Sequence, residues 1–317
     1  MRSNLLIIGS LPPPIGGVTL HVKRLLEYLE NEKLNVEFLD LKKKNIFRIL
    51  WEVILKYKVI HLHTSNPKLR FITALLCRLF NKRLLITYHG NLGRFNLVNN
   101  FFDYASILLC KIPIVLNKES YKKATQYNES TVKITSFIPP IYGETNSNEI
   151  EKCVVKFKKE HSKIFCTNAS TVSYDKEGNE IYGILDLIEI FSKLDNLGLI
   201  VSDSSKAYKK LIGEKNIKLE NVLLISEEHS FFEITKYCDG MIRNTSTDGD
   251  AISIKEALYL NKQVMATNVV SRDHQVEVYN SYKQLMKYLL ENKPKKKTNY
   301  NHHAGKELLK IYKNVLC

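Results

Sequence analysis

Short apolar runs recur along the whole chain, each separated from the next by a longer amphipathic stretch, and this alternation limits the fold more than any other feature. The first series is Leu5–Ile8, Val36–Leu39, Val59–Leu62, Leu84–Thr87, Ile112–Leu116 and Val132–Thr135. Between these runs the spacing is helical. Val22, Leu25, Leu26 and Leu29, for example, fall on one face at i, i+3, i+4 and i+7. Strands that alternate with helices predict parallel β-α-β units with helices on both faces of the sheet. The pattern breaks into Pro, Gly, Asn and Ser between Ile138 and Glu149, which reads as a linker. A second series follows: Ile164–Thr167, Leu197–Val201, Val222–Ile225, Gly240–Ile242 and Val264–Ala266. A polar, Lys-rich tract from Lys293 to Asn301 precedes a last helix from about His303 to Val315. The expected class is α/β, with two doubly wound parallel-sheet domains at 1–145 and 146–300. Residues 301–317 are expected to form a helix that packs back toward the first domain. A length of 317 residues suits two such domains. Ligands bind beyond the carboxyl ends of the strands in sheets of this kind, so two domains facing each other across a cleft would offer two such edges to one substrate.

Composition narrows the function. No run of ~18 or more uncharged apolar residues occurs, so no segment is expected to span a bilayer. Leu5–Ile8 is too short for a signal peptide and is followed at once by Pro12-Pro13-Pro14, so it reads as a buried strand. The six cysteines are scattered, without a C-x-x-C pair or histidines at ligand spacing, which fits a reducing cytoplasm and argues against structural zinc. A formal net charge of +14 favours an anionic surface or a phosphorylated substrate. No zinc-finger, K-homology or RNA-recognition signature accompanies it, so nucleic acid is not an expected partner.

Three stretches carry chemistry. Gly9 to Thr19 follows the first strand and opens the first helix, with Gly16 and Gly17 at the junction. Glycines there let a ligand approach the backbone, and free amides at the helix start suit a diphosphate; a plain tight turn is the alternative. Its spacing is not G-x-G-x-x-G, which argues against a dinucleotide fingerprint. Tyr88-His89-Gly90-Asn91 ends the fourth strand, where His89 can donate to a sugar hydroxyl or a phosphate oxygen and Gly90 keeps the approach open. Of His61 and His63 in the preceding strand, one is expected to be simply packed. The third stretch, Arg243 to Leu258, runs from a strand through a polar loop into a helix. It places Asp248 at the helix entrance and Glu256 eight positions later, facing inward. Two carboxylates so placed can accept hydrogen bonds from vicinal hydroxyls, while the amides of Ala251 to Ser253 meet a diphosphate. Two other readings stay open. Asp248-x-Asp250 could hold Mg²⁺, or Asp248 could be a plain N-cap and Glu256 a solvated helix residue.

The Arg243–Leu258 stretch, followed by Leu260 to Ala266, resembles the Glu-x7-Glu region of the retaining GT4-type glycosyltransferases of the GT-B fold, especially those of bacterial capsule, O-antigen and lipopolysaccharide assembly. The Gly16-Gly17 loop, the His61-Leu62-His63 strand, Tyr88-His89-Gly90 and Tyr182-Gly183 fall in the matching order. The resemblance implies two Rossmann-like domains and transfer of a sugar, with retention, from a nucleotide-sugar, with UDP as the expected nucleotide. The acceptor would be a glycan or a polyprenyl-diphosphate-linked saccharide, and neither metal nor other cofactor is implied. It implies that Glu256 holds the donor ribose and Asp248 the transferred sugar. Arg243 and the backbone of Gly249, Asp250, Ala251, Ile252 and Ser253 would meet sugar and phosphates. Gly16 and Gly17 would flank the leaving diphosphate, and His89 would sit against the donor sugar and acceptor. The chain departs from the family in three places. Asp248 replaces the first Glu, and Asn244 stands where proline is common. The basic pair aimed at the diphosphate is not evident near Asn168-Ala169-Ser170, so Arg243, Lys206 or Lys255 would have to substitute. The same-fold alternatives are a nucleotide-sugar epimerase and a non-catalytic partner subunit.

One further stretch bears on location. Lys42-Lys43-Lys44, Arg48, Trp51, Lys56 and Lys58 interleave with Ile46, Phe47, Ile49, Leu50, Val53, Ile54 and Leu55. Such a helix can rest on the anionic inner face of the plasma membrane, or it can be an ordinary crossover helix with its lysines in water.

Overall fold

The structure, a computed structural model, describes residues 4–42, 51, 56–175, 177–291 and 300–316. These divide into two compact units, Met1–Tyr142 with His302–Cys317, and Gly143–Asn301. Among the described residues no helix is long and apolar enough to cross a membrane. Most of the basic, aromatic stretch between Lys42 and Lys58 lies outside the described residues, as does most of the Lys-rich tract before the final helix.

The first unit is built on a six-stranded parallel sheet: β1 (Leu5–Gly9), β2 (Glu37–Asp40), β3 (Val59–His63), β4 (Arg83–Tyr88), β5 (Ile112–Val115) and β6 (Val132–Lys133). Its order is β2-β1-β3-β4-β5-β6, so the direction of winding reverses between β1 and β3. Alternate residues of each strand face opposite sides. Leu6, Ile8, Ile60, Leu62, Leu84 and Ile86 pack beneath α2 (Pro67–Leu79) and α3 (Leu97–Leu109). Leu5, Ile7, Val59, Leu85 and Ile114 pack on the other side with α1 (Gly17–Asn31), whose Leu25, Tyr28 and Leu29 enter the same cluster. The short α4 (Lys118–Ala124) closes the β5–β6 connection. Asn66, Asn96 and Asn117 each cap a helix by accepting backbone amides in its first turn, as short polar side chains do at that position.

The second unit opens with α5 (Asn148–Glu160) and contains β7 (Lys163–Asn168), α6 (Ile184–Phe191), β8 (Leu197–Ser202), α7 (Ala207–Glu214) and β9 (Val222–Ile225). It continues with α8 (Phe231–Tyr237), β10 (Gly240–Arg243), α9 (Ile252–Tyr259), β11 (Gln263–Thr267), β12 (Glu277–Tyr279) and α10 (Tyr282–Leu290). The strands pair in parallel in the order β12-β11-β10-β7-β8-β9, which is the doubly wound order of a nucleotide-binding sheet, and the winding reverses between β7 and β10. Sequence reading did not anticipate β12. It has three residues at a sheet edge, too few to produce an apolar run.

The last described helix, α11 (Ala304–Leu316), belongs to the first unit. Leu308, Leu309, Tyr312 and Val315 join the cluster that covers Leu5, Ile7 and Val59. The Tyr312 hydroxyl also pairs with His61 Nδ1 at 2.5 Å, and His61 Nε2 pairs with Thr87 Oγ1 at 2.8 Å. His61 is thus the packed member of the β3 histidines, tying the strand to α11 and β4.

Gly183, at the N-cap of α6, has φ +53°, and a Cβ there would overlap the Asn244 side-chain amide, whose Nδ2 donates to Gly183 O at 2.9 Å. A Gly183→Ala variant should lower the urea midpoint of unfolding, by at least ~1 kcal/mol from the left-handed backbone alone. Adding Asn244→Ala should restore part of the loss, because it removes the overlap. A midpoint unchanged in the single variant contradicts this.

Candidate functional site

The winding reversal of the second sheet is where a doubly wound fold binds its ligand. The side chains there converge on one carboxylate. Arg243 ends β10, and its Nη1 crosses the gap between strands to donate to Asn168 O at the end of β7, at 3.3 Å. Its Nε and Nη2 donate to Asp248 Oδ2 at 3.4 Å and Oδ1 at 3.1 Å. Arg272, in the loop after β11, donates from Nη1 to Asp248 Oδ2 at 2.7 Å and from Nε to Thr267 O at 3.2 Å. The Gly249 amide donates to Oδ1 at 3.0 Å. Burial pushes the Asp248 carboxyl up, but Arg243 and then Arg272 outweigh it and hold the pKa below the usual carboxylate value. The Arg243, Asp248 and Arg272 side chains are 11, 4 and 5% exposed, so this is a buried ion triad with one excess positive charge.

This geometry differs from the sequence expectation for Asp248. Four donors already meet its two oxygens, which fills the acceptor capacity of a carboxylate. A sugar hydroxyl would have to displace one of them. Nor is Asp248 an N-cap: Ala251 holds that position in α9, with no side-chain cap hydrogen bond. The N-cap residue therefore offers no side chain to the first-turn amides of α9, which carry the helix's positive end. Glu256 lies on the buried face of α9 at 2% exposure, which removes the reading of a solvated helix residue. Asp250 pairs with Lys255 Nζ at 3.9 Å, and the same ammonium lies 5.4 Å from the Tyr300 ring centroid. Asp248 and Asp250 are thus each committed to basic partners.

Of the three basic residues considered for a diphosphate, Arg243 spends its donors on Asp248 and Asn168, with its guanidinium 5.2 Å from the Tyr182 ring centroid. Lys255 faces Asp250, and Lys206 is an exposed residue at the N-cap of α7. The residue that sequence reading missed is Arg272. Its Nη2 is buried and has no hydrogen-bond partner among the described residues. The only sequence signal was a basic residue just beyond the carboxyl end of a strand. The Asp248–Arg272 contact joins positions 24 apart and appears only on folding.

Gly16, Gly17 and His89 belong to the first unit. Gly16 is the extended N-cap of α1, and Gly17 is the first helical residue. Thr19 Oγ1 accepts from Gly16 N at 3.0 Å and donates to Pro14 O at 2.8 Å, fixing the loop against the helix start. His89 follows β4 and is partly exposed. Its Nε2 pairs with His63 Nδ1 at 3.1 Å. Burial, followed by His21, His61, Arg70 and Arg94, holds the His89 pKa well below the ordinary histidine value; His63 is lowered in the same way by burial and the neighbouring histidines. The approach above Gly90 is not open as expected, because a Cβ there would overlap the Arg94 guanidinium.

No protein-family model and no curated protein matches the chain. Solved structures do. HepE from Anabaena in complex with UDP and glucose superposes with a TM-score of 0.70 at 13% identity, covering 98% of this chain and 99% of that one. The UDP-GlcNAc 2-epimerase from Methanocaldococcus jannaschii gives 0.62 at 12% identity, covering 99% and 100%. WaaG, a glycosyltransferase involved in lipopolysaccharide biosynthesis, gives 0.61 at 14% identity, covering 90% and 89%. The chain therefore has the GT-B fold over nearly its whole length.

Asp248→Asn would leave two buried guanidiniums short of one negative charge. Loss of one partner from a buried ion group costs on the order of 3 kcal/mol. Chemical denaturation should show a loss of that size in the second unit's transition, and an unchanged midpoint would show that the triad is not a structural tie.

Proposed function

We propose that this chain is a glycosyltransferase that moves a sugar from a nucleotide-sugar, with a UDP-sugar as donor, to a glycan or lipid-linked saccharide acceptor in surface polysaccharide biosynthesis. The observation that carries the reading is the buried Arg243–Asp248–Arg272 triad at the winding reversal of the second sheet, next to the uncapped start of α9. An excess positive charge beside the amides of a helix start suits a diphosphate. UDP and UDP-glucose in the HepE structures support the donor class, and WaaG, a glycosyltransferase involved in lipopolysaccharide biosynthesis, supports the surface-polysaccharide setting.

The roles follow from chemistry. Arg272 Nη2 is assigned to the diphosphate, together with the amides of Gly249 to Ser253. Asp248 holds the two guanidiniums and acts on the donor through them. Buried Glu256 takes the ribose hydroxyls, on the resemblance of the Arg243–Leu258 stretch. When the glycosidic bond to the diphosphate breaks, negative charge grows on the leaving phosphate and positive charge on the sugar ring. Preplaced donors at the phosphate stabilise that separation. We assign retention through front-face attack: the acceptor oxygen bonds to the anomeric carbon, and its proton passes to the departing phosphate oxygen. No protein carboxylate serves as nucleophile in this scheme, which distinguishes it from the paired-carboxylate hydrolases. His89 is assigned to the sugar and acceptor.

The epimerase reading is kept because epimerases of this fold are among the matching structures. Incubating the protein with UDP-sugar alone separates the two readings. A transferase leaves the sugar's configuration intact, whereas an epimerase inverts one centre without acceptor. UDP should raise the thermal midpoint of the wild type. Arg272→Ala should lower kcat/KM by ~10²–10³, the usual cost of a charge-stabilising donor, and weaken UDP binding. Glu256→Ala should remove most turnover and most of the UDP-induced shift. Near-wild-type kinetics in both variants would overturn the assignment.

A further inference from the structure

Four histidines gather where the first sheet reverses its winding, and three of them are not accounted for by packing. His63 is the last residue of β3, His89 is the first residue after β4, and His21 lies on α1 beyond the Gly16-Gly17 start. One ring nitrogen from each of these three lies within 4.8 Å of the others. The ring centroids are 5.1 Å apart for His21 and His89, 5.2 Å for His21 and His63, and 5.3 Å for His63 and His89. No single element produces this grouping. It comes from one helix and two strand ends brought together at the sheet's carboxyl edge.

We propose that His21, His63 and His89 form a binding site for one borderline divalent transition-metal ion, Zn²⁺ or an ion of like preference. Three features of the geometry point to it. First, His63 Nδ1 and His89 Nε2 are 3.1 Å apart. Two nitrogens bound to one tetrahedral ion at about 2.0–2.1 Å sit about 3.3–3.4 Å from each other, so a small relaxation admits the ion. Second, His21 Nδ1 lies 2.7 Å from Ser136 O. A carbonyl can only accept, so Nδ1 carries the proton and Nε2 presents its lone pair. A metal-ligating histidine is held in this way, with its other ring nitrogen donating to a backbone carbonyl. Third, His63 is 1% exposed, so packing holds its ring with Nδ1, the nitrogen that faces His89, inside the cluster.

The chemistry selects the ion. All three ligands are neutral nitrogen donors, which suit Zn²⁺, Co²⁺, Ni²⁺ or Cu²⁺, whereas Mg²⁺ and Ca²⁺ prefer oxygen. His61, 4.0 Å from His63 by ring centroid, is not a ligand, since Tyr312 and Thr87 occupy both of its nitrogens. The guanidiniums of Arg70 and Arg94 act on His89 from nearby, which weakens any cation there; Arg70 is itself paired with Asp103 at 3.3 Å. His89 is partly exposed and gives the ion its way in. This inference shares His89 with the assignment to sugar and acceptor but does not rest on it, because the test uses no nucleotide and reads the metal through His21 and His63.

The test uses the full chain stripped with a chelator and titrated with Zn²⁺ in competition with a chromophoric zinc indicator. One equivalent should bind to the wild type. His21→Gln and His63→Gln should each weaken it at least ~10-fold, the scale on which a lost ligand or its support acts, with far-UV circular dichroism unchanged. His274→Gln and His302→Gln, at exposed histidines, should leave it unchanged. If a cluster variant fails to fold, Co²⁺ added to the wild type serves instead. Four-coordinate visible absorption and three paramagnetically shifted imidazole N–H signals are expected. The proposal is overturned if Zn²⁺ does not bind, if its affinity is the same in both cluster variants, if binding is lost only in the surface variants, or if the Co²⁺ protein shows no such imidazole signals.

Discussion

A single carboxylate shared by two guanidiniums fixes the edge of the second sheet. Arg243 comes from the end of β10, Asp248 from the loop before α9, and Arg272 from the loop after β11. The three side chains are almost wholly out of water, so each charge depends on the others for compensation. Arg243 adds a bond across the winding reversal to the end of β7. The loop that leads to α9 is therefore held from two strands at once, and the positions of the α9 amides and of Glu256 follow from it. One positive charge is left over, whereas a one-to-one ion pair would leave none.

Much of the architecture could be read from periodicity. The alternation of buried strands and amphipathic helices gave the α/β class, because a parallel sheet buried on both faces requires continuous apolar runs. The edge strand β12 escaped, having three residues and no run to detect. The site was legible only in part. The loop-to-helix signature located Glu256 on a helix, and the structure buries it. Asp248 was found, but its partners were not. Which groups share a carboxylate depends on contacts between the β10 and β11 loops, and local spacing carries no information about that. Arg272 was invisible for the same reason. The order of the strands, and hence the place of the two winding reversals, likewise depends on which strands pair and not on where they begin.

The histidines of the first unit show the same limit from another side. His61 and His63 were visible within the third strand and His89 at the end of the fourth, and reading them singly made one of the first two a packed side chain. That was right for His61, which bonds Tyr312 and Thr87. His21 had no signal at all within the apolar face of α1. Only the sheet brings it within ring contact of His63 and His89.

The return of α11 to the first unit has a consequence for synthesis on the ribosome. One face of the first sheet, with Leu5, Ile7 and Val59, is covered partly by residues 304–316. Everything in the second unit must leave the exit tunnel before that cover exists. The first-made half of the protein is thus the last to be finished, and during elongation it carries an open apolar surface that a nascent-chain chaperone would recognise.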